Sequence, residues 1–189
     1  MLSIYKILFI GLSCLLIVSC KTKLVYKIPN DSNNKVFKDG LNTKIIPFGD
    51  LNDSTFVNLK EYSWDFVYDI KYATDDNFLK AKVYECAECY LRLKTVKAMM
   101  KANAKFMKKG YRIKLYDCYR PLDIQKKMWA IVSNPIYVAN PSKGSIHNRG
   151  GAVDISLVDK NGVELNMGTS FDYFGIEASH KNKNFSKEI

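Results

Sequence analysis

The strongest constraint on the fold is a ten-residue stretch, Ser145-Ile-His-Asn-Arg-Gly-Gly-Ala-Val-Asp154. Apolar and polar side chains alternate from Val153 to Leu157, which predicts a β-strand that begins near Asp154. His147 and Asp154 are an odd number of residues apart, so a continuous strand would place their side chains on opposite faces. Gly150-Gly151 can fold the backbone between them, because glycine adopts positive φ at no steric cost. We therefore expect a turn that brings the imidazole to the carboxylate.

A neutral imidazole and a carboxylate on a rigid strand suit a zinc ion with an open coordination position. The alternative is a surface histidine in a glycine turn that precedes an ordinary strand. The spacing of His147 and Asp154 alone leaves both interpretations open.

The first twenty residues are typical of an export signal. Lys6 precedes an apolar run from Ile7 to Val18, which is shorter than the about 20 residues of a membrane-spanning helix and matches a signal peptide. The following Ser-Cys20 resembles a lipobox, which predicts a signal peptide over residues 1–19 and a lipid anchor at Cys20. A plain signal peptide with an incidental cysteine is the alternative. We expect a lipoprotein of the cell envelope, periplasmic or membrane-anchored.

The remaining chain has the length of one domain. Residues 20–55 are polar and lack a sustained period, so we expect a tether, and we place the domain at residues 56–189. The formal net charge of +10 comes from lysines spread along the chain. Spread lysines indicate either a solvated surface or attraction to anionic envelope polymers and lipid. The sequence has no cluster of basic and aromatic residues and no fold motif for nucleic acid, so we expect no nucleic-acid partner.

Three cysteines follow Cys20: Cys86, Cys89 and Cys118. Cys86 and Cys89 have CxxC spacing, yet no second CxxC or nearby histidine completes a structural zinc site. In an exported protein we expect two of the three to form a disulfide. The sequence does not say which two.

The periodicity beyond the tether predicts an α+β fold. An aromatic-rich alternation predicts a strand over Trp64–Tyr72, and apolar spacings of three and four predict a helix over Leu91–Lys109 that ends at Gly110. A short strand is predicted over Arg112–Cys118. A helix is predicted from Leu122 to Val132, and the residues expected on its buried side are Leu122, Gln125, Met128, Trp129 and Val132.

Arg120 lies at the junction of the last predicted strand and helix. Its guanidinium could stabilise an oxyanion or hold a carboxylate with two parallel hydrogen bonds. Alternatively, it forms an ion pair with Asp117 that fixes the turn. Taken alone, the position favours the ion pair.

Three motifs together resemble one enzyme family. They are Asp117-Cys-Tyr-Arg-Pro121, the stretch from Ser145 to Asp154, and Asn166-Met-Gly-Thr-Ser-Phe-Asp172. They are similar to motifs of the zinc-dependent D-alanyl-D-alanine dipeptidases, which include the vancomycin-resistance dipeptidases. The resemblance covers roughly Phe56 to the C-terminus. It implies the fold shared by D,D-peptidases and the hedgehog signalling domain, a small antiparallel sheet with flanking helices.

The resemblance implies one catalytic zinc ion, with His147 and Asp154 as two of its three protein ligands. Arg120 would stabilise the tetrahedral transition state. The implied activity is hydrolysis of the D-alanyl-D-alanine dipeptide to D-alanine in cell-wall metabolism.

The resemblance also implies how the substrate is held. Asp172 would receive the ammonium end of the dipeptide, and Ser145 would line the substrate pocket. Asp117 would orient Arg120.

The chain departs from the family at its C-terminal end. The family carries its third zinc-binding histidine and its general-base glutamate in a late Glu-x-x-His element, which we expect beyond Ile189. The alternative is that Glu177-Ala-Ser-His180 replaces that element. We expect a truncated member with weak zinc binding and poor activity, because catalytic zinc sites normally supply three ligands. Comparing zinc content and D-alanine release between this chain and an extended one would test this.

Two other functions stay open. One is a zinc D,D-carboxypeptidase or L,D-peptidase that acts on peptidoglycan stems. An acidic group at Asp172 favours the dipeptidase, because it demands a free ammonium. The other is a non-catalytic lipoprotein that binds wall peptides.

Overall fold

A computed structural model of the chain describes residues 48–179 and 181–185. The strands are β1 (Phe56–Asn58), β2 (Val67–Tyr68), β3 (Tyr90–Arg92), β4 (Tyr111–Asp117) and β5 (Asp154–Asp159). The α-helices are α1 (Leu93–Met107) and α2 (Leu122–Ile131), and four short 3-10 helices lie in the connections. Neither α-helix of these described ranges could span a bilayer. The predicted α+β class is confirmed.

The strands form two small sheets. β1 and β3 make an antiparallel pair, and β2, β4 and β5 make a three-stranded sheet with β4 in the centre. β4 pairs with β5 in antiparallel fashion but with β2 in parallel. The expected single antiparallel sheet is therefore corrected to two sheets, one of them mixed.

The pairing of β4 with β5 brings two carboxylates together at one end of these strands. The register shifts after Leu115, so that Asp117 at the end of β4 faces Asp154 at the start of β5. An irregularity of this kind re-aims the side chains beside it. Along β5, Ser156 and Val158 are buried, whereas Ile155 is exposed.

The predicted strand Trp64–Tyr72 is wrong over most of its length. Only Val67 and Tyr68 pair with β4, and a 3-10 helix, Lys71–Ala73, follows. Phe66, Ile70 and Tyr72 are buried, so their aromatic and aliphatic character reflects the core and not a regular strand.

Helix α1 begins two residues later than predicted, because Tyr90–Arg92 pairs with β1. Its buried Asn103 accepts a hydrogen bond from the Ile113 amide at 2.8 Å, which ties α1 to β4. The helix also ends earlier than predicted, at Met107 instead of Lys109, and Gly110, with φ of 83°, lies in the turn that follows. In α2, Gln125 and Met128 are buried, but Leu122, expected on the buried side, is exposed.

A disulfide joins Cys89 to Cys118, across the two sheets. Cys86 also has a partner and is not a free thiol. The signal peptide, Cys20 and the tether up to residue 47 lie outside the described residues, so those predictions stay predictions. Nearer the domain, Phe48 stacks on Tyr62, with ring centroids 5.1 Å apart.

The turn before β5 depends on Gly150. This residue ends the 3-10 helix His147–Arg149 with φ of 67°, and its carbonyl accepts hydrogen bonds from the Arg92 amide and the Thr95 hydroxyl. A Cβ at this position would lie 2.3 Å from Cε1 of Phe56. The glycine is therefore required both by the backbone angle and by the packing.

Replacing Gly150 with Ala should cost more stability than replacing Gly110 with Ala. Both glycines have positive φ, which costs an alanine roughly 1–2 kcal/mol, but a Cβ at Gly110 meets nothing within 4 Å. The clash with Phe56 should add about 1–3 kcal/mol, the usual cost of overpacking. Urea unfolding of both variants measures the difference, and equal losses would contradict the packing argument.

Candidate metal centre and active site

Asp117 is the most enclosed charged group of the site. Its side chain is fully buried at the end of β4. One carboxylate oxygen, Oδ1, accepts hydrogen bonds from the Tyr84 hydroxyl at 2.7 Å and the Cys118 amide at 2.9 Å. The other, Oδ2, accepts from Nε and Nη2 of Arg120, at 3.1 and 2.5 Å. A buried carboxylate tolerates the loss of water only when it is bonded in this way.

Arg120 is held on three sides. Besides Asp117, its Nη1 donates to Oε1 of Gln125 at 3.0 Å, and its guanidinium lies over the Tyr72 ring at 5.3 Å. Burial disfavours the charged form, but the carboxylate of Asp117 outweighs it and raises the pKa of Arg120. Gln125 is itself anchored to the Ala139 carbonyl at 2.6 Å. The predicted ion pair with Asp117 is present, and Asp117 orients the guanidinium.

His147 lies between the two strand ends. Its Nδ1 is 2.8 Å from the Cys118 carbonyl, and its Nε2 is 3.5 Å from Oδ1 of Asp154. Because a carbonyl only accepts, Nδ1 carries the hydrogen, and the lone pair of the neutral ring lies on Nε2. The Gly150 turn therefore brings the imidazole to the carboxylate, as the sequence predicted, and it directs Nε2 toward Asp154.

Two carboxylates affect the protonation of His147. Burial disfavours the charged imidazolium, but the hydrogen bond with Asp154 and the charge of Asp117 outweigh it and raise the pKa of His147. A proton at Nε2 occupies the position that a metal ion would take, so protons and metal compete for this atom.

Ligand atoms of Asp117, His147 and Asp154 lie within 4.8 Å of one another. The donor types, an imidazole nitrogen and carboxylate oxygens, are those that zinc binds. Asp117, however, lies 3.5 Å from Nδ1 of His147, and its oxygens are occupied by Arg120 and Tyr84. The residues that fit a metal ion on the Nε2 side are therefore His147 and Asp154, with Asp117 as a support behind the ring.

Ser145 and Asn148 fasten the histidine turn to Arg120. Asn148 donates from Nδ2 to the Arg120 carbonyl at 2.7 Å, and its Oδ1 accepts from the Ser145 amide at 2.6 Å. The Arg120 amide in turn donates to the His147 carbonyl at 3.1 Å. The hydroxyl of Ser145 accepts a hydrogen bond from the Asn148 amide, so both hydrogen bonds between these residues stabilise the turn.

Asp172 reaches the same cluster through Tyr72. Its backbone has φ of 56°, which aspartate tolerates better than most residues, and its Oδ2 accepts from the Tyr72 hydroxyl at 2.7 Å. Burial, with the charges of Asp154 and Asp117, raises the pKa of Asp172 to about 6, although the Tyr72 hydrogen bond opposes the shift. The Tyr72 ring thus connects Asp172 with the guanidinium of Arg120.

Glu177 is exposed, and its carboxylate accepts a hydrogen bond from the Tyr173 hydroxyl at 2.8 Å. It does not belong to the group formed by Asp117, His147 and Asp154. His180 lies outside the described residues, so its role as a metal ligand stays a prediction.

A sequence model of the D-ala-D-ala dipeptidases, peptidase family M15, matches residues 52–187. The chain belongs to this family of peptidases. All the site residues named above, from Tyr72 to Asp172, lie inside the match to the D-ala-D-ala dipeptidases. The resemblance inferred from the motifs is therefore confirmed.

Two curated relatives are each named D-alanyl-D-alanine dipeptidase. The Escherichia coli protein is 34% identical over 123 residues, which cover 65% of this chain and 64% of that protein. The Enterococcus faecium protein is 31% identical over 146 residues, which cover 66% of this chain and 72% of that protein. The match to the Escherichia coli relative thus spans less than two thirds of its length.

Four contributors to the site were missed by the sequence interpretation: Tyr72, Tyr84, Gln125 and Asn148. Gln125 was placed on the buried side of α2, and a polar residue at such a position could have indicated a buried partner. Asn148 lies within the motif itself. The two tyrosines carried no local signal, because their partners are 100 and 33 residues away.

Replacing Tyr72 with Phe should raise the pKa of Asp172 above about 6. The lost hydrogen bond favours the ionised carboxylate, so its removal favours the protonated form. Because the folded-state pKa already exceeds the ordinary 3.8, the free energy of unfolding should fall as pH rises between these values. In the variant this fall should extend to higher pH.

The measurement is a carboxyl 13C NMR titration of the metal-free protein. The matched control is Tyr173→Phe, which removes a neighbouring hydroxyl that bonds to Glu177 instead. An unchanged Asp172 pKa in Tyr72→Phe, or an equal shift in the control, would contradict the assignment.

Proposed function

We propose that this protein hydrolyses the D-alanyl-D-alanine dipeptide to D-alanine, with zinc as the catalytic metal, in cell-wall metabolism. The observation that carries the proposal is the connection of Asp172, through Tyr72, to the cluster of Arg120, Asp117 and His147. An acid that can receive an ammonium group lies in the same cluster as a candidate metal pair. Membership of the D-ala-D-ala dipeptidase family supports the same conclusion.

His147, through Nε2, and Asp154 would hold the zinc ion. When bound, zinc would polarise the scissile carbonyl and lower the pKa of a bound water. The Cys118 carbonyl keeps the hydrogen of His147 on Nδ1 and leaves Nε2 available.

Arg120 would stabilise the charge that develops on the carbonyl oxygen. A guanidinium has five N–H donors. In Arg120, three of them donate hydrogen bonds to Asp117 and Gln125. The remaining donors can serve a substrate. Because Asp117 and Gln125 fix the group in advance, little reorganisation is needed when charge appears.

Asp172 would bind the free ammonium of the dipeptide. Above a pH of about 6 the carboxyl group is ionised, and its partly buried position strengthens the attraction to a cation. A blocked or extended amino terminus offers no such charge. The position therefore favours a dipeptidase over a carboxypeptidase that acts on peptidoglycan stems.

The general base and the third metal ligand are not assigned to the described residues. The expected Glu-x-x-His element beyond Ile189 stays a prediction, as does the hedgehog and D,D-peptidase likeness of the fold.

We also propose a location in the cell envelope with an anchor at Cys20. Movement of a Cys20→Ala variant from the membrane fraction to the soluble fraction would support it, and retention in the membrane would contradict it.

The test compares D-alanyl-D-alanine with its N-acetylated form in the presence of zinc, by calorimetric binding and by release of D-alanine. The free dipeptide should bind at least about 30-fold more tightly, since losing one partner of a buried charge pair costs about 2 kcal/mol or more. Asp172→Asn should remove this preference. The control Asp123→Asn should keep it, because Asp123 is exposed and pairs with Lys126.

Two other results would favour a different function. Equal use of the acetylated peptide would contradict the dipeptidase assignment and favour a stem carboxypeptidase. Binding without turnover at saturating zinc would favour a non-catalytic wall-peptide-binding protein.

A further inference from the structure

The disulfide Cys89–Cys118 lies directly behind the candidate metal centre. Cys89 precedes β3 in one sheet, and Cys118 follows β4 in the other. Both side chains are buried in the core. The bond therefore crosslinks the two sheets at the strand end that carries Asp117.

The backbone of Cys118 takes part in the site through both of its polar groups. Its amide donates to Oδ1 of Asp117 at 2.9 Å, and its carbonyl is the acceptor for Nδ1 of His147 at 2.8 Å. The amide of the next residue, Tyr119, donates to the carbonyl of Tyr90 at 3.0 Å, and Tyr90 directly follows Cys89. A shift of Cys118 would thus move the acceptor that selects the hydrogen position on His147.

We propose that the Cys89–Cys118 disulfide positions His147 for metal binding, by fixing the Cys118 carbonyl that holds the imidazole. The inference rests on the proposed zinc function of His147 and Asp154. The two cysteines are positioning residues, since their sulfur atoms contact neither metal nor substrate. Groups that orient a metal-ligating histidine typically change metal affinity 10- to 100-fold when they are lost.

The alternative is that the disulfide stabilises the fold as a whole and nothing more. The two roles predict different results for a variant that loses stability elsewhere in the core. Val96 in α1 is fully buried and belongs to the hydrophobic core, so Val96→Ala is a suitable control. It weakens the core without altering the Cys118 backbone.

The test replaces both cysteines together, as Cys89→Ala/Cys118→Ala and as Cys89→Val/Cys118→Val. The valine pair fills more of the buried volume, so it provides a folded variant if the alanine pair does not fold. For each folded variant we would measure the zinc dissociation constant by chelator competition and the melting temperature.

Nitrogen NMR of the metal-free imidazoles gives a third readout. The chain has only two histidines, so a His180→Gln variant assigns the His147 signals. In the wild type at a pH where the ring is neutral, the hydrogen should lie on Nδ1. The disulfide-free variants, meaning those that lack the Cys89–Cys118 bond, should show a mixture of the two neutral forms.

The proposal predicts a zinc affinity at least about 10-fold weaker in the disulfide-free variants, together with the altered His147 signals. Val96→Ala should lose melting temperature but keep both zinc affinity and signals. Unchanged zinc affinity without the disulfide, an equal loss in Val96→Ala, or failure of both cysteine variants to fold would overturn the positioning role.

The wild-type measurement separates this inference from the function on which it rests. A wild-type protein that does not bind zinc contradicts the proposed function. A wild type that binds zinc as tightly as the disulfide-free variants contradicts only the role of the disulfide.

Discussion

The buried ion pair between Asp117 and Arg120 is the interaction on which the rest of the site depends. Taking two opposite charges out of water costs free energy, and such a pair persists only when further hydrogen bonds satisfy its remaining atoms. Here Tyr84, the Cys118 amide and Gln125 supply them. Because these partners come from three different segments of the chain, the pair also fixes where those segments meet.

The same carboxylate links the fold to the chemistry. Asp117 ends the central strand of the mixed sheet, and the register shift of that strand places it opposite Asp154. The histidine turn is attached to this edge through the Arg120 amide and the Cys118 carbonyl. His147 is therefore held from behind by rigid elements, while its other nitrogen faces Asp154.

Much of this arrangement could be predicted from local sequence patterns. The turn at Gly150 follows from the odd spacing of His147 and Asp154 and from the properties of glycine. The strand before Arg120 and the helix after it follow from short periodic runs. The prediction failed at Trp64–Tyr72, where aromatic alternation is typical of a strand but the chain offers β4 only two pairing residues.

The features that local patterns missed are those made by distant parts of the chain. Tyr84 and Tyr72 are bonded to aspartates far along the sequence, and no local period marks a tyrosine as such a partner. Cys89 and Cys118 can form a disulfide because their Cα atoms lie 5.3 Å apart, and only the packing of the two sheets determines this distance.

We propose that the metal binds on the Nε2 side of His147 and that Asp117 remains paired with Arg120. Crystals grown with zinc and measured at the zinc absorption edge would test it most directly. We expect an anomalous peak within bonding distance of His147 and Asp154, with the ion pair of Asp117 and Arg120 intact. A zinc ion bound to Asp117, or to Nδ1 of His147, would contradict it.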